Sequence, residues 1–253
     1  MPINVDMICN AWSHAFYRVC EATPDGWCAK RGEVRAGVTR VPTSSLNVAW
    51  SMAPDPDLAA LDELATRVSE FGVPWSIIVR GSAGGAVADL AARHGLTTRG
   101  ERPFMVCPAD DAVLRADDSR QALIRPVGAQ SADSYTAALT TGFEVPDGFF
   151  GSLMGGGVLD APDMTGYLAE EAGELVATGF GIRGGGGLAV FNIAVVPPVR
   201  GRGLGRAMTA RVVADGFAAG AEAAYLNPSA AAQPLYESMG FRVVESWAVF
   251  TAS

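Results

Sequence analysis

Asn192-Ile193-Ala194-Val195-Val196-Pro197-Pro198-Val199-Arg200-Gly201-Arg202-Gly203-Leu204-Gly205-Arg206-Ala207-Met208 is an apolar run, a proline pair, and then alternate glycines among arginines. The apolar run, Leu188 to Val196, is rich in Val, Ile and Phe, the composition of a buried strand. Pro197-Pro198 ends it, because proline offers no N–H to a ladder. Leu204, Met208, Val212 and Ala219 then recur near helical spacing, which predicts a helix from Leu204 to about Ala219, stopped by Gly220. A helix N-terminus presents free N–H groups and partial positive charge, and so receives phosphate readily. Gly201, Gly203 and Gly205 allow close backbone approach, and Arg200, Arg202 and Arg206 add charge-assisted hydrogen bonds. The spacing G-x-G-x-G is neither the Rossmann G-x-G-x-x-G nor the G-K-[ST] of a P-loop. A ligand-free tight turn is the plain alternative, but turn geometry alone does not call for the arginines.

Downstream, a strand is expected at Ala223–Leu226, then a polar break at Asn227-Pro228-Ser229. A short helix Ala231–Met239 ends at Gly240, and a last strand runs from Phe241 to Phe250 with a bend near Glu245. Upstream, Ala122–Val127 reads as a fresh strand and Ser131–Thr141 as helical. Gly166–Ala169 and Glu174–Phe180 read as a hairpin around the acidic turn Glu170–Gly173, with a second turn at Gly184–Gly187. Strands followed by helix, strand, helix and strand make an α/β pattern.

The first half echoes this ending. Asn47-Val48-Ala49-Trp50 aligns with Asn192-Ile193-Ala194-Val195, and Gly95-Leu96 with Gly240-Phe241, both at an offset of 145 and without a gap. Leu58–Phe71 then falls on the helix after the glycine loop, and Ile77-Ile78-Val79 near the strand at 223–226. An internal duplication follows, with a boundary in the acidic stretch 108–120 and units at 1–110 and 121–253; coincidence between two α/β segments is the alternative. The first unit has lost the loop. Asp55, Leu58 and Ala60 stand where Arg200, Gly203 and Gly205 stand, and Ala91 where Tyr236 stands.

With these residues in view, the second unit resembles the GNAT superfamily of N-acyltransferases. Arg200, Gly203 and Gly205 meet its [RQ]-x-x-G-x-[GA] signature. Ile193-Ala194-Val195-Val196-Pro197 is similar to its cofactor-facing fourth strand, and Tyr236-Glu237-Ser238-Met239-Gly240-Phe241 to its Y-x-x-x-G-F ending. The resemblance implies a mixed, mostly antiparallel sheet flanked by helices, in tandem with a degenerate N-terminal copy. It implies acetyl-CoA as acyl donor and the amine of a small molecule or peptide as acceptor. Backbone near Ile193, Ala194, Val195 and Val196 would pair with the pantetheine arm. The amides from Arg202 through Gly203, Leu204 and Gly205 to Arg206, with Arg200 and Gly201, would hold the pyrophosphate. Tyr236 would protonate the departing thiolate, or is simply a packed helix residue. Asn227 would reach the cofactor or cap the helix after Pro228.

No general base is evident. Asn192 stands where the family strand would carry a glutamate, and could order a water. Glu144, Asp147, Asp160 and Asp163 lie in the acceptor-forming segment as candidates for an amine, or as solvated loop residues. Phe143, Phe149, Phe150, Leu153, Met154 and Leu159 suggest an apolar cleft or plain core. A non-catalytic acyl-CoA sensor is the competing reading. The first unit is expected to bind no coenzyme A and to serve as scaffold or acceptor-site wall; Cys9, Trp12 and His14 are expected in core or surface roles, with the lining of a cleft as the alternative, and His94 at a helix end.

Bulk properties narrow the rest. A net charge of −8 argues against non-specific nucleic-acid binding. No apolar stretch reaches the ~18 residues of a membrane span, and Met1–Asp6 has no leader character, so a cytoplasmic protein, monomeric or homodimeric, is expected. Four cysteines without a C-x-x-C pair and only two histidines predict neither a disulfide framework nor a metal site.

Overall fold

A computed structural model describes residues 4–253; Met1, Pro2 and Ile3, and the reading made of them, lie outside the described residues. The chain runs α1 (Val5–Ala22), β1 (Trp27–Arg31), β2 (Val34–Val38), β3 (Asn47–Ser51), α2 (Leu58–Ser69), β4 (Ser76–Val79), α3 (Gly85–Arg93) and β5 (Thr98–Pro108). It continues α4 (Asp118–Gln121), β6 (Ile124–Val127), α5 (Ala132–Phe143), β7 (Met164–Glu171), β8 (Glu174–Gly184), β9 (Gly187–Val195), α6 (Leu204–Ala218), β10 (Ala223–Leu226), α7 (Gln233–Glu237) and β11 (Arg242–Thr251). The helix expected at Ala231–Met239 is therefore only the short α7.

All eleven strands form one sheet, in the order β1-β2-β3-β4-β11-β5-β10-β9-β8-β7-β6. Only β3 with β4 and β9 with β10 run parallel; the other neighbours are antiparallel. The fold is thus a mixed α/β one with a largely antiparallel sheet. One face carries α1 and α5 over a single apolar cluster that spans both halves of the chain. The other carries α6 and α7 over one cluster, and α2 and α3 over another.

α1 has clear local causes. Asn4 caps it by accepting from the Met7 amide, and Ile8, Cys9, Trp12, Ala15, Phe16, Val19 and Cys20 form one buried stripe. Trp12 stacks on Phe16 at 5.5 Å and meets Trp247 edge-on at 4.8 Å, so it and Cys9 belong to the core. His94 is the C-cap residue of α3, and its Nε2 lies 2.8 Å from Asp62 Oδ1.

Both halves pass through helix, three antiparallel strands, helix, strand, helix and strand, ending on β5 and β11 respectively. Those two last strands are exchanged. β5 pairs with β10 from Ala223↔Pro108 to Leu226↔Met105, whereas β11 pairs with β4 from Ala248↔Val79 to Thr251↔Ser76. They also pair with each other, with a bulge between Val243 and Glu245 where the bend was expected. The stretch near 112–117 is irregular, yet the sheet is continuous across the two halves, and Val113 N donates to Met239 O at 3.0 Å.

Candidate active site

β9 carries a bulge at Asn192. Ahead of it, Leu188 and Val190 pack under α6 while Ala189 and Phe191 join the α1–α5 face; beyond it, Ile193 and Val195 lie on the α6 side and Ala194 on the other. The alternation of a strand has slipped by one. Pairing with β8 shows why: Phe180↔Phe191 is followed by Thr178↔Ala194, so an extra residue sits opposite Gly179. Asn192 takes φ 51°, a left-handed conformation that asparagine tolerates. Buried groups hold it there. The Thr178 hydroxyl donates to Asn192 O at 2.7 Å, and the fully buried Tyr135 hydroxyl donates to Gly179 O at 3.0 Å. A Cβ at Gly179 would come within 2.7 Å of the Met208 side chain, so glycine is required for α6 to lie this close.

β9 and β10 part just ahead of the bulge. They pair only from Gly187↔Ala223 to Ala189↔Tyr225; β10 stops at Leu226 while β9 runs on to Val195. Residues 190–195 of β9 thus have no β10 partner, an unpaired slot in the sheet, and α6 begins beside its end, with Gly205 close to Val195. Gly201 and Gly203 are left-handed, at φ 76° and 84°, which suits glycine. Gly203 is the N-cap residue, and no side chain caps the helix. Among the described residues, no protein acceptor takes the amides of Arg202 to Arg206.

The first half supplies an internal contrast. α2 is capped by Asp57, whose Oδ1 accepts from the Ala59 and Ala60 amides, both at 3.0 Å. β3 and β4 stay paired from Val48↔Ser76 to Ser51↔Val79, and Arg80 N continues to Ser51 O at 3.1 Å. The strands do not part there: a cavity of about 150 Å³ lies at this helix start, lined by Asp55, Leu58, Val79 and Arg80 among others, but the first-turn amides themselves are filled by a carboxylate. Asp55 is the acid aligned with Arg200, but the residue that occupies the amides is Asp57.

The arginines of the loop divide. Arg200, expected at the phosphate, is a brace: it donates to Val195 O at 2.9 Å, Gly142 O at 2.7 Å and Glu144 Oε2 at 2.6 Å, tying the end of α5 to β9. Glu144 is thereby engaged too. Arg202 donates to Pro198 O at 3.2 Å, and Arg206 to the Ser238 hydroxyl.

Tyr236 on α7 is 7% exposed and shares an apolar cluster with Leu204, against which Ile193, Val195, Val196 and Leu235 pack. The structure thus brings together the tyrosine, the strand and the helix start. Burial pushes the Tyr236 phenol up to about 12, so it stays protonated at neutral pH. Asn227 does not cap the helix after Pro228. Its Nδ2 donates to Pro103 O on β5 at 2.8 Å, and Ser229 Oγ, not Asn227, accepts from the Ala232 amide before α7.

Across the sheet from α6, in front of the bulge, lies an apolar cavity of about 30 Å³. Phe16, Val19 and Leu46 line it from the first half; Leu153, Met154, Phe180, Phe191 and Asn192 line it from the second. Asn192 Nδ2 is 3.5 Å from Met154 Sδ. α1 fastens this region: Thr23 Oγ1 donates to Leu153 O at 3.3 Å, and Arg18 forks onto Asp163 at 3.1 and 3.3 Å. Burial alone would raise the Asp163 carboxyl, but the Arg18 pair outweighs it and holds Asp163 low. Asp160 accepts from the Ala129 amide at 2.8 Å, and Asp147 is exposed. Of the aromatic candidates, Phe150 is core, Phe149 packs against it, and Phe143 is exposed. Sequence reading missed Phe16 and Val19, because α1 was not identified; its capped, periodic apolar stripe was the available signal. It also missed Leu46, which sits in the turn just ahead of β3.

Among the described residues no helix is long and apolar enough to cross a membrane, and no group of three or more His, Cys, Asp or Glu is placed to hold a metal. Residues 162–243 match the family described as acetyltransferase (GNAT) domain. No curated protein matches the chain by sequence. Solved structures share its fold. A GCN5-related N-acetyltransferase from Kribbella flavida is similar with a TM-score of 0.68 at 17% identity, covering 98% of this chain and 95% of that one. A putative GNAT-family acetyltransferase from Novosphingobium aromaticivorans gives 0.63 at 20% identity, with 95% of both chains covered. A tandem GNAT protein from the clavulanic acid biosynthesis pathway, solved without AcCoA, gives 0.59 at 14% identity over 99% of this chain and 88% of that one.

Proposed function

We propose that this chain, which carries a GNAT acetyltransferase domain, moves an acetyl group from acetyl-CoA to an amine by direct attack on the thioester. One contrast carries the reading: the same helix start is uncapped beside an open slot in the second half, and capped beside a closed pair of strands in the first. The amides of Arg202 to Arg206 hold the diphosphate, as charged acceptors favour such a site. Backbone of Ile193 and Val195, with Ala194 and Val196 alongside, pairs with the pantetheine arm in the slot. The bulge at Asn192 turns the strand toward the acetyl carbonyl. Tyr236, kept protonated by burial, gives its proton to the leaving thiolate. Residues 121–253 form the catalytic unit; residues 1–110 are its degenerate copy, a scaffold that binds no coenzyme A and whose α1 walls the acceptor cavity.

Titration calorimetry of the whole chain with acetyl-CoA, followed by thiol release with an amine panel, tests this. One equivalent bound and turnover that Tyr236→Phe removes while binding persists is the expected result. A second reading, an acyl-CoA sensor, is favoured by the lack of an ionisable side chain in the cavity lining; binding without turnover on any amine supports it.

A further inference from the structure

The cavity before the bulge has a uniform chemistry. Rings of Phe16, Phe180 and Phe191 dominate it, and Asn192 is the one polar side chain in the lining. β9 itself carries no titratable residue. Ionisable groups on the elements packed around it are engaged elsewhere. On α1, Arg18 pairs with Glu21 and Asp163, His14 packs at Gly184, and Cys20 is fully buried. Tyr17, with Cys28 beside it, is pushed up to about 12. Arg183 on β8 donates to Pro162 O at 3.0 Å, and Tyr135 under the bulge donates to Gly179 O. Asp160 and Glu144 are held as described above.

Such a lining does not suit an ammonium. An alkylamine with a pKa near that of lysine is unprotonated in roughly one molecule per thousand at pH 7. Its charged form would lose water here without gaining a carboxylate, and would need a base to shed its proton before attack. An amine that is already neutral needs neither. Resting on the transferase reading above, we infer that the acceptor is an aryl amine, whose nitrogen is uncharged at neutral pH because its lone pair is shared with the ring.

The cavity, about 30 Å³, seats the amino group and its nearest atoms; the ring lies at the rim against the half-buried Leu46 and Phe191. Asn192 Oδ1 accepts one amine N–H. The nitrogen lone pair attacks the carbonyl carbon, the C–N bond forms and the C–S bond breaks. The thiolate takes the Tyr236 proton, and the surplus proton on nitrogen goes to solvent, from which Tyr236 is refilled. The products are an N-aryl acetamide and coenzyme A.

The test uses the whole chain, acetyl-CoA and two amines of matched body, 4-methylaniline and 4-methylbenzylamine, with thiol release followed from pH 6 to 8.5. The aniline is expected to be turned over with kcat/KM changing less than about twofold between pH 6 and 8. The benzylamine is expected to be at least about a hundredfold poorer at pH 7 and to climb about tenfold per pH unit. Val19→Phe, which fills the cavity, is expected to raise KM for the aniline at least about tenfold. Calorimetric acetyl-CoA affinity should be unchanged in that variant, and the milder Val19→Met guards against a folding defect. Preference for the benzylamine, no turnover of the aniline by protein that binds acetyl-CoA, or an unchanged KM in folded Val19→Phe each overturns the inference. Failure to bind acetyl-CoA at all sinks the transferase reading instead, and calorimetry reports it separately.

Discussion

Placing a carboxylate at residue 203 should convert the open helix start into the closed one already present at Asp57. Both residues are N-caps, and Asp57, extended at φ −66° and ψ 101°, takes two first-turn amides, Ala59 and Ala60, on its Oδ1 at 3.0 Å. Gly203 is left-handed at φ 84° and ψ −1°, so a carboxylate there caps once the residue turns to the extended region. In Gly203→Asp the corresponding amides are those of Gly205 and Arg206. Each hydrogen bond to a charged acceptor is worth about 1.5–3 kcal/mol, so removing two from the diphosphate loses about 3–6 kcal/mol. That is a factor of roughly 10²–10⁴ in Kd, before any repulsion between the carboxylate and the diphosphate. A Cβ at 203 meets no neighbour within 4 Å, but φ 84° imposes strain of about 1–2 kcal/mol on a side chain. Gly203→Asn carries the same strain without the charge and serves as its control. Calorimetry with acetyl-CoA should show Gly203→Asp at least about a hundredfold weaker than the parent, and Gly203→Asn within about tenfold. Melting temperatures of the two variants should agree within a few degrees. An Asp variant that is folded and binds within threefold of the parent would falsify the assignment of the diphosphate to these amides.

Three further outcomes are expected. Asp57→Ala should lower stability by about 1 kcal/mol through loss of the cap, yet leave acetyl-CoA stoichiometry at one, because β3 and β4 remain zipped; a second equivalent in calorimetry contradicts this. With its phenol raised to about 12, Tyr236 should remain an acid through neutral and mildly alkaline pH, so kcat should show no fall between pH 7 and 10; a loss of kcat with an apparent pKa below 10 in folded protein would contradict it. Glu245 is held below the usual carboxylate range, chiefly by its fork with Arg80 at 2.5–3.0 Å. Its contribution is therefore present above the unfolded carboxylate pKa near ~4.3 and fades as pH falls through the lower folded value. Glu245→Gln should destabilise by about 1–3 kcal/mol at pH 7, and the gap from the parent should close below about pH 4 in denaturant titrations.

The second half was legible because its signals are local. Strand β10 falls on the expected Ala223–Leu226, and Gly220, at φ 94°, follows the end of α6. Proline, glycine and apolar periodicity act within a few residues, so one sequence suffices to read them. What eluded the sequence depends on partners far along the chain. Arg200 looked like a phosphate ligand because its type and place fit; that it braces Gly142 and Glu144 is a matter of where α5 ends. Asn227 likewise turns to Pro103, on a strand from the other half that no local pattern announces. The extra residue at Asn192 was invisible for a related reason: a bulge shows only in the register against β8. The offset of 145 did carry Asn47 onto Asn192 and Gly95 onto Gly240, yet it gave no hint that β5 and β11 would trade places.

That trade sets an order of events during synthesis. The half with the open slot receives β5 from chain made long before β10, so its borrowed strand is already waiting when β10 emerges. The older half must wait for Arg242–Thr251, at the other end of the molecule, to cover the edge of β4. Until then that edge stands bare. Trimming the carboxyl-terminal ribbon should therefore injure the region built first, and a chain severed between the halves should regain its shape only when both pieces are refolded together.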